Sequence, residues 1–203
     1  MEFWNSLLTE KSWQVLQELK KRHLDFILIG GWATYILTKQ HKSKDIDIII
    51  KNFSDLESIG KTYDLRKNDN LKKYEIKVDD IDIDIYIANY SKLALQVNVL
   101  LENTTFIEGF EVVKPEILLI LKQGAELDRK NSVKGLKDRI DIMTLLCYTK
   151  IDFKVYVDII ERNNLLSYKK RLIEIIKSFD DVKHLNINLN EYSKLKKNIL
   201  KNI

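Results

Sequence analysis

The 203-residue chain carries 34 basic and 30 acidic side chains for a net charge of +4, with 45% hydrophobic residues, 32% charged residues, one Pro and six Gly. This balance excludes a disordered or fibrous chain and leaves a globular protein with residues enough for one large domain or two small ones. Every apolar run is far shorter than the roughly 18 residues of a membrane span, and "MEFWNSLLTE" lacks the basic and apolar order of a secretory signal, so no membrane association and a cytoplasmic location are expected.

Phe3, Leu7, Leu8, Val15, Leu16 and Leu19 recur at spacings near three and four, which predicts one or two amphipathic helices with Trp4 and Trp13 as core or partner-facing anchors. "DFILIG" then reads as a short strand ending in Gly30-Gly31, and "GWATYILTKQ" as a helix. The polar loop "HKSK" leads into the strand "DIDIII". Ser54 and Glu57 in "SDLE" have the capping-box spacing that opens a further helix. "YEIKV" and "IDIDIYI", separated by Asp79-Asp80, have the period and spacing of a hairpin. "SKLALQVNVLLEN" reads as a helix, "TTFIEGFEVV" as a second hairpin turning at Glu108-Gly109, and Pro115 as the first turn of a helix through "PEILLILKQGAELDRK". From there the pattern is helical, with breaks near Asn131-Ser132, Lys150-Asp152, Asn163-Asn164 and "DDVKHLNINLN".

The expected division is a mixed α/β part over residues 1–113 and a helical part over 114–203. The first holds 15 basic and 18 acidic residues, the second 19 and 12. A second half at net +7 suits a nucleic acid or polyphosphate, and equally a solvated Lys-rich helix surface. The lone Cys147, in "IMTLLCY", reads as a core residue that can form no internal disulfide. His23, His41 and His184 have no metal-ligand spacing.

Strand alternation puts Asp45 and Asp47 on one face, and Asp80, Asp82 and Asp84 together likewise. If the two strands are neighbours, four or five carboxylates crowd one surface, a destabilising arrangement without a compensating cation. Mg²⁺ is such a cation: it takes oxygen ligands and is commonly shared between protein carboxylates and substrate phosphates. Gly30-Gly31 at a helix start lets an anion approach the first backbone amides. The carboxylates and the glycine turn together point to a metal bound with a nucleotide.

This order, Gly30-Gly31, a helix, Asp45-Ile46-Asp47 on a strand and a third acid in "IDIDIYI", resembles the nucleotidyltransferase superfamily built on the DNA polymerase beta catalytic core. "KSKDIDI" and "KGLKDRIDIMTLL" are similar to the small prokaryotic members, which include toxins of toxin-antitoxin pairs. The resemblance is specific over residues 24–87, suggestive over 114–146 and absent beyond about 150. It implies an α/β fold with a mixed twisted sheet flanked by helices and a C-terminal helical region. It also implies transfer of a nucleoside monophosphate from an NTP, ATP included, to an acceptor hydroxyl with release of pyrophosphate, assisted by two Mg²⁺ ions. Asp45, Asp47 and Asp84 are the implied metal-binding and catalytic acids. Asp84 is placed third because the family's acid stands just before an apolar and aromatic strand end, here "DIYI", with Asp82 in reserve.

Gly30, Gly31, Ser43 and Lys44 are the implied nucleotide-binding residues of the first half. Gly31 stands where the family often has Ser, so Ser43 is the candidate hydroxyl. Lys42 stands where related toxins have Arg, a charge without the bidentate fork. In the second half, Lys137, Asp138 and Asp141 resemble the family's "KDxxD" segment and would hold the triphosphate, with Lys122 and Arg129 as lesser candidates. The alternative is that Lys134 with Asp138, and Lys137 with Asp141, are helix-surface ion pairs. An RNA end, a protein hydroxyl or a small molecule are the acceptors left open, and an antitoxin-like protein is the implied partner. The competing readings are a nucleotide- or partner-binding module without turnover and a metal-dependent nuclease.

Overall fold

The computed structural model describes residues 6–22 and 24–203, so Phe3 of the expected stripe, the expected anchor Trp4, and His23 lie outside the described residues. The chain divides into two compact units, residues 1–114 and residues 115–203.

In the first unit, α1 (Ser6–Lys21) buries Ser12, Val15, Leu16 and Leu19, one stripe at helical spacing. Among the described residues seven strands form one mixed sheet in the order β3-β4-β5-β2-β1-β7-β6. They are β1 (Phe26–Ile29), β2 (Ile46–Ile50), β3 (Arg66–Asn68), β4 (Lys73–Val78), β5 (Ile81–Tyr86), β6 (Thr104–Ile107) and β7 (Phe110–Val113). Strand β2 runs antiparallel to β1 and parallel to β5, and β1 runs parallel to β7. The central strands are apolar on both faces, with Ile27, Leu28, Ile46, Ile48, Ile49, Ile83 and Ile85 fully buried. That pattern is expected of strands with neighbours above and below.

Two helices extend from the ends of central strands. Between β1 and β2 lies α2 (Gly30–Thr38), and after β2 comes α3 (Phe53–Thr62). Trp13 of α1 packs on Trp32 of α2 with ring centroids 5.1 Å apart, and the Trp32 indole donates to Ser12 Oγ at 2.8 Å. Both expected hairpins form. β4 and β5 turn at Asp79-Asp80, and β6 and β7 turn at Glu108-Gly109, where φ is positive at both residues. The second turn is therefore of the two-residue kind whose twist matches that of its strands.

Two expectations about helices are corrected. The capping box at Ser54 and Glu57 does not open α3: the N-cap is Asn52, two residues earlier, and the helix starts at Phe53. The helix expected over residues 91–103 contracts to α4 (Val97–Leu101). Leu95 and Val97 are both buried around exposed, extended Gln96, so this stretch alternates like a strand, and Ser91 Oγ accepts the Ile87 amide instead of lying in a helix.

The second unit is helical: α5 (Pro115–Arg129), α6 (Val133–Tyr148), α7 (Phe153–Arg162), α8 (Ser167–Ser178), a short 3-10 turn (Val182–Leu185) and α9 (Leu189–Asn202). Three of these helices are opened by a side-chain cap. Ser132 accepts the Gly135 amide, Asp152 accepts those of Lys154 and Val155, and Asn188 with Glu191 forms a full capping box. Leu118, Leu119, Ile140, Met143, Tyr156, Leu172 and Leu185 are fully buried in this unit. No described helix is long and apolar enough to cross a membrane.

Candidate active site

Strand register assembles one row of side chains across the first unit. Ile29 of β1 lies opposite Asp47 of β2, Asp47 opposite Asp84 of β5, and Asp84 opposite Glu75 of β4. Residues directly opposite share a face. The row therefore reads Glu75, Asp84, Asp47, Ile29, and the chain turns at Gly30 into α2. The neighbouring row on the other face, Ile76, Ile83 and Ile46, is buried. Ile flanking on one side and acid on the other is how "DIDI" places a carboxylate on a fixed strand.

The glycine turn is shaped by the site. Gly30 has φ +65°, and a Cβ there would run into the Asp47 carboxylate, 2.7 Å from its Cγ. A Cβ at Gly31 would lie 2.7 Å from Ser43 Cβ and closer still to its hydroxyl. The buried Ser43 hydroxyl thus occupies the space that a side chain at position 31 would fill. Ile29 at the N-cap of α2 has no acceptor in its side chain, so the first amides of the helix open beside Asp47 and Ser43 without a cap from it. Gly30→Ala combines a left-handed backbone with the clash on Asp47 and is expected to cost about 2 to 4 kcal/mol, read as a loss of urea stability that Asp47→Gly in the same chain partly restores.

Of the sequence-predicted acids, the structure brings Asp47 and Asp84 side by side. Asp45 sits one residue before β2, exposed, and Lys44 precedes it at intermediate exposure. Among the described residues no group of three or more His, Cys, Asp or Glu side chains is gathered closely enough to hold a metal as it stands. Asp82 is 65% exposed and 3.8 Å from Lys77, whereas the Asp84 side chain is 22% exposed. Asp80 is at the hairpin turn, 3.5 Å from Lys11. Lys42 pairs with Glu10 of α1.

A residue that the sequence pattern did not single out dominates the electrostatics. Lys73, 12% exposed at the start of β4, donates to Asp84 Oδ2 at 2.6 Å and reaches Glu75 Oε1 at 3.0 Å. Burial, then the charge of Asp47, pushes the Asp84 carboxyl up to about 6 in spite of that bond. Glu75 is held below the usual carboxylate range by its bond to Lys73, with Asn68 Nδ2 donating to it as well. Burial pulls Lys73 down, but its bonds to the two carboxylates outweigh this and leave it above the usual lysine value. The hairpin register was the signal for both Lys73 and Glu75. With Val78 opposite Ile81, Glu75 must face Asp84, and Lys73 lies one diagonal away on the same face.

In the second unit Asp138 and Asp141 are almost fully buried and pair with cations of α5, not with the lysines one turn away on α6. Arg129 donates to Asp138 from two nitrogens at 2.7 and 3.0 Å, and Lys122 to Asp141 at 2.6 Å. Lys137 is at intermediate exposure on the same helix. Glu126, fully buried, accepts from both Arg139 and Arg171. The Lys122 and Asp141 side chains are only 9% and 3% exposed, so Asp141→Ala is expected to remove the carboxylate from a buried ion pair and cost about 3 kcal/mol by chemical denaturation. Cys147 is half-buried, its thiol pushed up to about 12 by burial, which keeps it protonated and unreactive.

No family model and no curated protein matches the sequence. Solved structures match in shape. JHP933 from Helicobacter pylori superposes with a TM-score of 0.52 at 14% identity, covering 98% of this chain and 94% of that one. ANT(2")-Ia, in complex with adenylyl-2"-tobramycin, gives 0.49 at 14% identity over 82% and 99% of the two chains. The lincosamide antibiotic adenylyltransferase LnuA, lincomycin-bound, gives 0.46 at 18% identity over 71% and 98%. At such identities the likeness is one of fold alone.

Proposed function

We propose that the chain transfers a nucleoside monophosphate from an NTP to an acceptor hydroxyl and releases pyrophosphate. The observation that carries this reading is the placement of Asp47 and Asp84, in register on adjacent parallel strands, against the open start of α2. Two carboxylates close enough for one to raise the other's pKa form an all-oxygen donor set that fits Mg²⁺, whose binding relieves their repulsion. Asp47 and Asp84 would hold it, joined by Asp45 from two positions upstream. Once bound, Mg²⁺ supplies charge stabilisation to the attacking and leaving oxygens of the displacement.

The chain's own residues do the rest. The first amides of α2 and the Ser43 hydroxyl bind phosphate oxygens, the amides with the positive end of the helix dipole behind them. Gly30 and Gly31 keep side chains out of that approach. Asp84, in the same carboxylate row as Asp47, is the acid assigned to take the proton of the acceptor hydroxyl. The net charge of +7 over residues 114–203 supports an RNA end as the acceptor.

The test is incubation of the protein with Mg²⁺, each α-labelled NTP in turn, and whole-cell RNA or protein extract. Label in the RNA fraction with stoichiometric pyrophosphate is the expected result. Label in protein moves the acceptor to a protein hydroxyl. Degraded RNA without label would replace the reading by a nuclease, and nucleotide binding without pyrophosphate by a module that has lost turnover.

A further inference from the structure

We propose that Lys73 is a resident counter-cation of the carboxylate row, one that occupies Asp84 in the metal-free protein and must move onto Glu75 for a divalent cation to bind. The proposal rests on the metal-dependent reading of the site and goes beyond it in assigning a residue that sets metal affinity. Three observations carry it. The Lys73 ammonium is only 2.6 Å from Asp84 Oδ2, on a carboxylate that would hold the metal. A second acceptor is already in place at 3.0 Å, since Glu75 lies directly opposite Asp84 and on the same face. Glu75 is itself fixed, because the Asn68 side-chain amide of edge strand β3 donates to it at 3.0 Å.

The geometry has the form of a two-position switch. A lysine on a flexible four-carbon stem can exchange one carboxylate for the other through side-chain rotation alone, with no movement of β4. In the metal-free state the ammonium offsets the repulsion between Asp84 and Asp47. When a divalent cation takes over that task, Lys73 retains Glu75 and is never left buried without a partner, the situation that makes breaking a buried ion pair costly. The affinity of the site is then the affinity of the carboxylates less the work of displacing the ammonium. The site is therefore weak without nucleotide and stronger with the triphosphate, because phosphate oxygens add ligands after the displacement.

The experiment titrates the full chain with Mn²⁺ alone, reading free Mn²⁺ by electron paramagnetic resonance, with thermal melting of the metal-free and metal-loaded protein in parallel. Lys73→Met is expected to bind Mn²⁺ about 5 to 10 times more tightly than the parent and to melt lower than it when metal-free, with saturating Mn²⁺ closing the gap. Lys73→Arg is expected to restore parental affinity. Lys77→Met removes the same charge from the same face, but its partner is the exposed Asp82, and it is expected to change affinity less than about twofold. Should Lys73→Met fail to fold, Lys73→Gln carries the same comparison. Unchanged or weaker binding by the Lys73 variants overturns the proposal, as does equal tightening by Lys77→Met, which would reduce the effect to net charge. A parent chain that binds no Mn²⁺ with or without NTP overturns the metal-dependent reading together with the switch, whereas a parent that binds Mn²⁺ while Lys73→Met does not tighten it removes the switch alone.

Discussion

Asp47→Ala is expected to lower NMP transfer by about 10³-fold or more, a barrier increase of roughly 4 kcal/mol, while the metal-free protein melts within a few degrees of the parent. Asp47 is the centre of the carboxylate row, with Asp84 on one side and Ile29, the residue before the glycine turn, on the other. Its carboxylate also lies where a Gly30 side chain would be, so it is the acid nearest the start of α2 and hence nearest any phosphate bound there. Removing it takes away both the metal ligand and its position relative to the triphosphate. Stability should hold because the lost group repels Asp84, and the Asp84 carboxyl should fall back from about 6 toward its ordinary range. The melting-temperature gain from Mg²⁺ with NTP, which is expected to exceed that from either alone in the parent, should vanish in the variant. Transfer retained within about tenfold, worth only 1.4 kcal/mol, would remove Asp47 from the metal.

Much of this site was legible because strand chemistry is periodic. "DIDIII" and "IDIDIYI" give apolar and acidic residues alternate faces where their aspartates lie, and the two-residue turn at Asp79-Asp80 fixes the β4 and β5 register closely enough to place Asp84 deeper than Asp82. The parallel pairing of β2 with β5 was not written locally. It arises from a crossover through α3, β3 and β4, and it alone sets Asp47 beside Asp84. The expected cation was read as missing, yet Lys73 was present in "KKYEIKV", concealed because its partner is 11 residues away and on another strand. In the second unit, spacing on α6 suggested pairs with Lys134 and Lys137. Tertiary packing instead turns Asp138 and Asp141 inward onto α5, a choice that i to i+4 spacing cannot encode. Local alternation also defeated the helix expected over residues 91–103, where buried Leu95 and Val97 flank an exposed residue and override helix propensity.

Asp84→Asn separates the two tasks assigned to the third acid and gives them opposite signs. Turnover is expected to fall by about 10²-fold to 10³-fold, since an amide can neither bind the metal as a carboxylate does nor accept the acceptor's proton. Nucleotide binding should fall far less, because Asp45, Asp47 and the amides of α2 remain. Stability should move the other way. The folded-state carboxyl is raised from 3.8 to about 6, so its favourable contribution is complete below about pH 4 and is lost as pH rises through 6. Asn is free of that loss. The variant's advantage over the parent is therefore expected to grow between pH 4 and pH 7, by at most about 3 kcal/mol, with Lys73 still paired to Glu75. Urea unfolding of the metal-free proteins at pH 4, 5, 6 and 7 measures this directly. A parent that gains stability relative to Asp84→Asn as pH rises would mean that the Lys73 bond outweighs burial and the Asp47 charge. Full turnover in Asp84→Asn together with its loss in Asp82→Asn would transfer the role of third acid to Asp82.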